Sequence, residues 1–225
     1  TKNKCPICEC PLDGTVTRES NNGYTTLAPT IDHYRPKASS FYPNLEYDHE
    51  NYILMCSDCN NAYKGCEFPL HSSTPNRNTL ATTTNSIINE KPLIVNPIYD
   101  NPNDLFKIVF RLSLNGKKVL ELEPKQSNGY QKEKAEETIK LFSLGFCENP
   151  THKNRNTNVQ NCRIELLHSH FNKFHSIVSI LNGKKFVDIS EEDQRKIFKE
   201  VNDKKLNEYG FYKSIMQNNY SNITP

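Results

Sequence analysis

The sequence predicts an α+β protein, in which a small zinc-stapled ββα module is followed by a β-hairpin and a helical region. Three observations carry this prediction: two Cys-x2-Cys pairs, an Asn-Gly dipeptide between alternating apolar stretches, and helical periodicity from residue 130 onward. The chain has 225 residues and 35% of them are hydrophobic, which is enough apolar material for a modest core. We expect three parts, which span residues 1–75, 76–128 and 129–225.

The two cysteine pairs predict a zinc site. Cys5 and Cys8 form the first pair, and Cys56 and Cys59 form the second. Each pair presents two thiolates from one tight turn, and Zn²⁺ takes four such ligands in a tetrahedron. Because four thiolates close the coordination shell, we expect the zinc to be structural. The alternative is a set of ordinary buried cysteines. Of the other four, we expect Cys10 and Cys66 to be buried, although one of them could be an alternative ligand, and we interpret Cys147 and Cys162 as bystanders.

The segment between the pairs predicts the ββα order of the module. Residues 28–33 have the pattern of a short strand that Pro36 must end, because proline cannot donate to a ladder. A polar loop follows, and the apolar run 52–55 has the length of a second strand. A short helix is expected from Cys59 onward, with Gly65 closing it.

The middle of the chain predicts a linker and then a hairpin. Residues 71–91 are rich in Ser, Thr and Asn, which favours a flexible surface segment. The run 93–95 has the pattern of a short strand. Residues 105–114 and 117–123 flank Asn115-Gly116, and that dipeptide between alternating apolar residues is the strongest local signal for a hairpin.

The C-terminal part predicts helices. Residues 130–144, 159–181 and 206–216 repeat apolar positions at helical spacing. Ser190 with the three acidic residues after it predicts an N-terminal cap for another helix. The three histidines of the longest predicted helix do not share one face, so we interpret them as surface groups and not as a second metal site: His168, His170 and His175.

Four residues between and beside the cysteines carry a resemblance. Asp32-His33, Asn51 and Asn60 resemble the motif of HNH endonucleases, in the variant whose last His is replaced by Asn. The flanking cysteine pairs resemble those of zinc-stapled members of that superfamily. A longer string resembles the PtuB-like HNH family, the nuclease components of Septu-type and retron-associated anti-phage defence: Asp32-His33-Tyr34-Arg35-Pro36-Lys37, Asn51, Cys56-x2-Cys59-Asn60, Lys64-Gly65 and Phe68-Pro69-Leu70.

The resemblance implies roles that suit the chemistry of these side chains. Hydrolysis of a phosphodiester needs an activated water and a cation that neutralises the phosphate. His33 is then the general base, because imidazole titrates near neutral pH. Asp32 and Asn60 supply hard oxygen ligands for Mg²⁺ or Mn²⁺. Asn51 has a structural role: its amide bridges backbone groups and holds His33 in place.

Three cations near the motif are candidate contacts for the phosphates of a substrate. They are Arg35, Lys37 and Lys64, each of which can stabilise negative charge in the transition state. The alternative for each is a solvated surface charge.

The charge distribution bears on substrate and partner. Residues 1–75 hold 6 Lys and Arg against 9 acidic residues, although the whole chain has a net charge of +2. An acidic module binds nucleic acid weakly by itself, so we expect the basic helical region or a partner to deliver the substrate. The resemblance implies that this partner is an SMC/ABC-type ATPase (PtuA-like), with the helical region as its docking surface.

The leading interpretation is therefore a metal-dependent endonuclease that cuts DNA. Two alternatives stay open: the same nuclease acting on RNA such as tRNA, and a zinc-stapled binding module without catalysis. The chain has no recognisable signal peptide and no apolar run of the roughly 18–20 residues that cross a bilayer, so we expect a cytoplasmic protein without a membrane partner.

Overall fold

The described fold contains three separate antiparallel strand pairs. The structure is a computed structural model, and it describes residues 4–8, 12, 17–20, 23–26, 28–74, 76–112, 118–144 and 188–202. Strand β1 (Thr17–Ser20) pairs with β2 (Gly23–Thr26), and β3 (Pro29–His33) pairs with β4 (Tyr52–Cys56). The third pair lies further along the chain.

The β3–β4 pair matches the two strands predicted between the cysteine pairs. His33 lies opposite Tyr52 and Ile31 lies opposite Leu54 in its register. The burial of β3 alternates, with Asp32 buried and both of its neighbours more exposed. Because successive side chains of a strand point to opposite faces, Asp32 and His33 face different surroundings.

The loop between β3 and β4 contains two short 3₁₀ turns, Pro43–Leu45 and His49–Asn51. After β4, the predicted helix is a seven-residue π-helix, Asp58–Lys64. Its end is set by Gly65, whose φ is +49° and whose N–H donates to the carbonyl of Asn60 at 2.7 Å. A positive φ of this kind suits glycine because it has no Cβ. The prediction that Gly65 ends the helix is therefore confirmed.

Residues 71–91, predicted to be a linker, pack against the ββα module. A 3₁₀ turn at Thr84–Ile87 lies within this segment, and Ala81 and Ile87 are buried. The backbone N–H of Thr84 donates to Asp48 Oδ2 at 2.7 Å. The composition is polar because these side chains bind neighbouring backbone and carboxylate groups.

The strand predicted at residues 93–95 is absent from the described structure, although all three residues are buried. The N–H of Leu93 donates to the carbonyl of Pro69, and the N–H of Val95 donates to the hydroxyl of Thr138. The backbone N–H groups of Leu93 and Val95 therefore each have an acceptor, one on the backbone and one on a side chain. Their hydrogen bonds do not require a strand ladder.

The third strand pair is the hairpin that the Asn-Gly dipeptide predicts. A one-turn helix α1 (Pro102–Leu105) leads into β5 (Phe106–Leu112), which pairs with β6 (Lys118–Pro124). Leu112 lies opposite Lys118, and the dipeptide itself falls outside the described residues.

Two helices of the C-terminal part are described. Helix α2 (Gly129–Phe142) packs on β6, and Ser143 ends it in the left-handed conformation with φ +49°. Helix α3 (Glu191–Asn202) begins at the predicted cap, where Ser190 Oγ accepts a hydrogen bond from the N–H of Asp193 at 3.2 Å. Outside the described residues lie the predicted helices 159–181 and 206–216 and the following side chains: Cys10, Cys147, Cys162, His168, His170 and His175.

One buried cluster joins the module to the hairpin and to α2. It contains the four paired cysteines, Ile7 and Leu12, and apolar residues from the segments 34–68, 81–106 and 122–144. Its largest fully buried apolar or aromatic members are Ile7, Tyr42, Leu45, Met55, Phe68, Ile94, Phe106 and Phe142. The proposed boundaries at residues 75 and 128 stay a prediction, and this core crosses both of them.

We predict that Thr138→Val destabilises the protein although it preserves shape. The hydroxyl of Thr138 is the acceptor for the buried N–H of Val95 at 2.9 Å. A buried donor left without an acceptor costs roughly 1–3 kcal/mol. The free energy of unfolding in urea measures this loss. Glu136→Ala, on the exposed side of α2, is the control and should change it by less than about 0.5 kcal/mol; equal effects of the two variants would contradict the prediction.

Candidate functional site

The four paired cysteines converge on one point. Their Sγ atoms all lie within 4.8 Å of one another, and the four residues are fully buried. The sulfurs of Cys8 and Cys56 are 3.6 Å apart. Ligands about 2.3 Å from a tetrahedral Zn²⁺ are about 3.8 Å from each other, so the observed spacing fits this ion.

The electrostatics of the cluster also fit a cation. Hydrogen bonding with the Cys5 thiol raises the pKa of Cys56, and burial raises the pKa of Cys59 well above its usual range. Four thiolates cannot share such a site without a compensating charge, and a divalent ion supplies it. The N–H of Cys59 donates to Cys56 Sγ at 3.4 Å, a bond that supports the second pair as a thiolate turn.

The candidate base, His33, is held by the loop between β3 and β4. Its Nε2 lies 2.9 Å from the carbonyl oxygen of Glu46, and the hydroxyl of Tyr52 donates to the same oxygen at 2.7 Å. The rings of His33 and Tyr52 meet edge to face with centroids 5.1 Å apart. A carbonyl only accepts hydrogen bonds, so Nε2 carries the proton and the lone pair of the neutral ring lies on Nδ1.

Asn51 closes this loop from inside. The residue is fully buried, and its Oδ1 accepts from the N–H of Arg35 at 2.8 Å. Its Nδ2 donates to the carbonyls of Arg35 at 3.0 Å and Leu45 at 3.3 Å, and its own carbonyl accepts from the N–H of Tyr34. These bonds fix both chain segments that flank His33. They are the backbone bridges expected of Asn51.

Asp32 lies on the other face of β3, in a buried ion pair. The Nζ of Lys64 is 2.9 Å from Asp32 Oδ2 and donates to Oδ1 at 3.2 Å. It also donates to the carbonyl of His33 at 2.8 Å. Burial raises the pKa of Asp32 and lowers the pKa of Lys64, while each charge partly offsets that effect on the other. The π-helix thus supplies the cation that permits a carboxylate at this position.

Asn60 also reaches from the π-helix to β3. Its Nδ2 donates to Thr30 Oγ1 at 3.1 Å and to the carbonyl of Ile31 at 3.4 Å. The amide oxygen, which was expected to bind a metal ion, is the part of the group that these bonds leave available. The π-helix therefore contacts β3 twice, through Asn60 at Thr30 and Ile31 and through Lys64 at Asp32.

The donor chemistry of Asp32 and Asn60 suits a hard divalent cation, because both offer oxygen. The space does not suit one in this conformation, since Asp32 is only 5% exposed and Lys64 already contacts both of its carboxylate oxygens. A hydrated ion can reach Asp32 only if the ammonium of Lys64 moves aside.

The three predicted phosphate contacts differ in accessibility. Lys37 is exposed, and its ammonium lies 2.6 Å from Glu46 Oε1, which keeps it beside the loop that holds His33. Lys64 is 1% exposed, so it is an internal ion-pair partner and not a surface contact. Arg35 is also buried, with its Nε 3.4 Å from Glu90 Oε2. In this conformation Arg35 and Lys64 each lie beside a carboxylate, and their contact with a phosphate stays a prediction.

Sequence reasoning missed three residues that position the site. Glu46 acts through its carbonyl, which any residue could provide, so no side-chain pattern marks it. Tyr52 donates to that carbonyl. Glu90 accepts from the hydroxyl of Tyr42 at 2.7 Å and pairs with Arg35, across more than 40 residues of chain. Only the folded chain brings these groups together.

The site is thus a zinc-type cysteine cluster that holds two strands and a helix around a histidine whose Nδ1 has no hydrogen-bond partner among the described residues. The family model described as HNH endonuclease matches residues 5–65, from the first paired cysteine to the glycine that ends the π-helix. This match supports nuclease activity in general. Neither the curated proteins nor the solved structures contain a match to the chain.

None of the helices in the described residues is both long enough and apolar enough to cross a membrane. The cytoplasmic location stays a prediction.

We predict that Cys59→Ser loses zinc and that Cys66→Ser retains it. Cys59 is fully buried in the four-sulfur cluster. Cys66 is exposed and lies outside the cluster, so the expectation that Cys66 is buried is wrong. Since the metal joins segments that are far apart in the chain, its loss should lower the melting temperature by many degrees. Metal content per chain and calorimetry measure the two effects. Equal zinc contents in the two variants would rule out this cluster as the site.

We predict that Lys64→Met destabilises the protein and that the loss of stability depends on pH. Breaking a buried ion pair by removing one partner costs roughly 3–5 kcal/mol at neutral pH. Without the ammonium, the pKa of the buried Asp32 rises further above its usual value. Consider the pH range between the pKa of Asp32 in the wild type and its higher pKa in the variant. In this range Asp32 is ionised in the folded wild type and protonated in the folded variant. Its stability deficit should therefore widen as the pH rises through this window.

Urea unfolding of wild type and variant at a series of pH values tests this sign. Lys37→Met is the matched control, because its ion pair with Glu46 is at the surface, where solvent screens the two charges. A deficit of Lys64→Met that stays constant with pH, or narrows as the pH rises, would show that Asp32 is not the group that responds.

Proposed function

We propose that this protein is a metal-dependent HNH endonuclease that hydrolyses phosphodiester bonds of DNA. The observation that carries the proposal is the state of His33, whose Nε2 is bound to the carbonyl of Glu46 so that Nδ1 is left as a base. The match of residues 5–65 to the HNH endonuclease family supports the same chemistry. A zinc-stapled binding module without catalysis would have no need of an oriented base.

In the proposed reaction, Nδ1 of His33 takes a proton from the attacking water. The bond from Nε2 to the carbonyl of Glu46 fixes the tautomer and the ring, and it also favours the imidazolium that forms. Asn51 keeps the flanking backbone in place, so the base does not have to be oriented during the reaction. Lys37, beside the same loop, is the proposed phosphate contact.

Asp32 and Asn60 are the proposed ligands of a catalytic Mg²⁺ or Mn²⁺. Such an ion, when bound, neutralises charge on the scissile phosphate and on the leaving oxygen. Asp32 would hold such an ion only with the ammonium of Lys64 away from its carboxylate. Lys64 also donates to the carbonyl of His33, a bond that does not depend on Asp32.

Nicking of a supercoiled plasmid in the presence of Mg²⁺ tests the proposal. We expect His33→Ala to lose at least about 100-fold in rate, since a general base contributes about 10²–10⁴. His49→Ala is the control, because His49 is exposed and lies in the same loop. Equal rates for wild type and His33→Ala would remove the assigned base. Parallel reactions with tRNA separate DNA from RNA as the substrate, and omission of the metal ion tests its requirement.

We further propose that the nuclease acts in anti-phage defence with an SMC/ABC-type ATPase. The support is the resemblance of the string around Asp32-His33 to the PtuB-like family, together with the acidic character of residues 1–75, which favours delivery of the substrate by a partner. Co-purification of the full chain with a co-expressed ATPase of this class, and protection of bacteria from phage only when both are present, tests it. Full protection by the nuclease alone would contradict the partner.

A further inference from the structure

A cavity of about 430 Å³ lies apart from the residues proposed for catalysis. Its walls come from Tyr34 and Arg35 directly after β3, from Glu50, from residues 84–100 and from α2. His33, Asp32, Asn51 and Asn60 do not line it. Its volume falls within the range of small-molecule sites, about 300–1,000 Å³.

One of the buried polar groups at this cavity is the guanidinium of Arg35. The side chain is 9% exposed, and its Nε is committed to Glu90 at 3.4 Å. The rings of Tyr34, Tyr42 and Phe68 lie 5.6–5.8 Å from it and hold it in place. Within the described part of the chain, its two terminal amino groups have no hydrogen-bond partner. A buried guanidinium with a free fork is a bidentate donor for a ligand with two neighbouring acceptors.

Two carboxylates at the same cavity each keep one oxygen for a donor. Asp100 uses Oδ2 for the N–H of Asn96 and the ammonium of Lys134, both at 2.6 Å. Glu50 uses Oε2 for the hydroxyl of Thr84 at 2.8 Å. Among the described contacts, Asp100 Oδ1 and Glu50 Oε1 have no partner. The cavity can therefore satisfy a ligand that both accepts and donates hydrogen bonds.

The remaining lining indicates the shape and charge of the ligand. Tyr99 is 70% exposed and lines the cavity, and the ring of Tyr130 lies there as well. A planar heterocyclic ring can stack on a tyrosine side chain, because every such ring has a π-face. The lining contains the cations of Arg35 and Lys134 against three carboxylates, those of Glu50, Glu90 and Asp100. This balance disfavours a ligand that would place a phosphate inside and favours a neutral heterocycle.

We propose that this cavity binds a guanine base, in a free nucleotide or in an unpaired strand. Arg35 would donate to O6 and N7, as arginine does in bidentate recognition of guanine. Glu50 or Asp100 would accept from the N1 and N2 hydrogens on the other edge, and Tyr99 would stack on the ring. Adenine presents a donor where guanine presents O6, so the fork of Arg35 rejects it.

Calorimetric titration of the full zinc-loaded chain with GMP, AMP and ribose 5-phosphate tests the inference, because the three ligands share a phosphate and differ in the base. We expect GMP to bind at least about fivefold more tightly than AMP and ribose 5-phosphate not to bind detectably. Equal affinities for GMP and AMP, or no binding of GMP at millimolar concentration, would overturn it.

Two variants assign the binding to this cavity. Tyr99→Ala should weaken GMP binding at least about fivefold, whereas Ile98→Ala, its exposed neighbour outside the lining, should leave it unchanged. Arg35→Lys keeps the charge and removes the fork, and it should reduce the preference for GMP over AMP. If that variant does not fold, the base series and Tyr99→Ala decide. Unchanged GMP binding in Tyr99→Ala would overturn the assignment.

A further titration separates the two sources of the base. An oligothymidylate with a single guanine should bind more tightly than GMP if the cavity takes an unpaired strand, and no more tightly if it takes a free nucleotide. All titrations are done without Mg²⁺ and with the His33→Ala variant, so cleavage plays no part in them. The guanine-binding proposal can thus be contradicted while the nuclease proposal stands. The nuclease proposal can equally be contradicted while the guanine-binding proposal stands.

Discussion

The convergence of four buried cysteine sulfurs is the constraint on which the rest of the module depends. It joins a turn near the N-terminus to the end of β4 and to the first residues of the π-helix. Because β3 pairs with β4 along five residues, fixing the end of β4 also fixes β3. The position of the histidine follows from this chain of contacts, although the cluster takes no part in the chemistry of the proposed active site.

On that frame, the two faces of β3 carry different tasks. His33 faces a loop whose backbone carbonyl orients it, and Asp32 faces a helix whose lysine neutralises it. Both interactions form without a ligand, which orders the site in advance. The cost is that Asp32 is closed in this conformation, because Lys64 occupies the place beside its carboxylate.

The charges around Arg35 show that residues of one sequence motif can occupy different environments in the folded protein. Arg35 and Lys37 are two positions apart, yet one is enclosed by aromatic rings and the other is at the surface. The difference depends on Glu90, which lies far along the chain in a segment that looks like a linker by composition. That segment folds back because its polar side chains find carboxylate and backbone partners on the module.

Local chemistry is what the sequence by itself determined: the cysteine pairs, the two strands around the motif, the glycine that ends the π-helix, the hairpin and the cap at Ser190. Each depends on residues that are neighbours in the chain or on ligands that a metal site requires in a fixed number. Only the tertiary structure decided which face each charge occupies, that Glu46 orients His33, and that Lys64 is buried against Asp32. Those outcomes depend on contacts between segments 9 to 55 residues apart, and burial, not residue type, decides whether such a charge meets water or a partner.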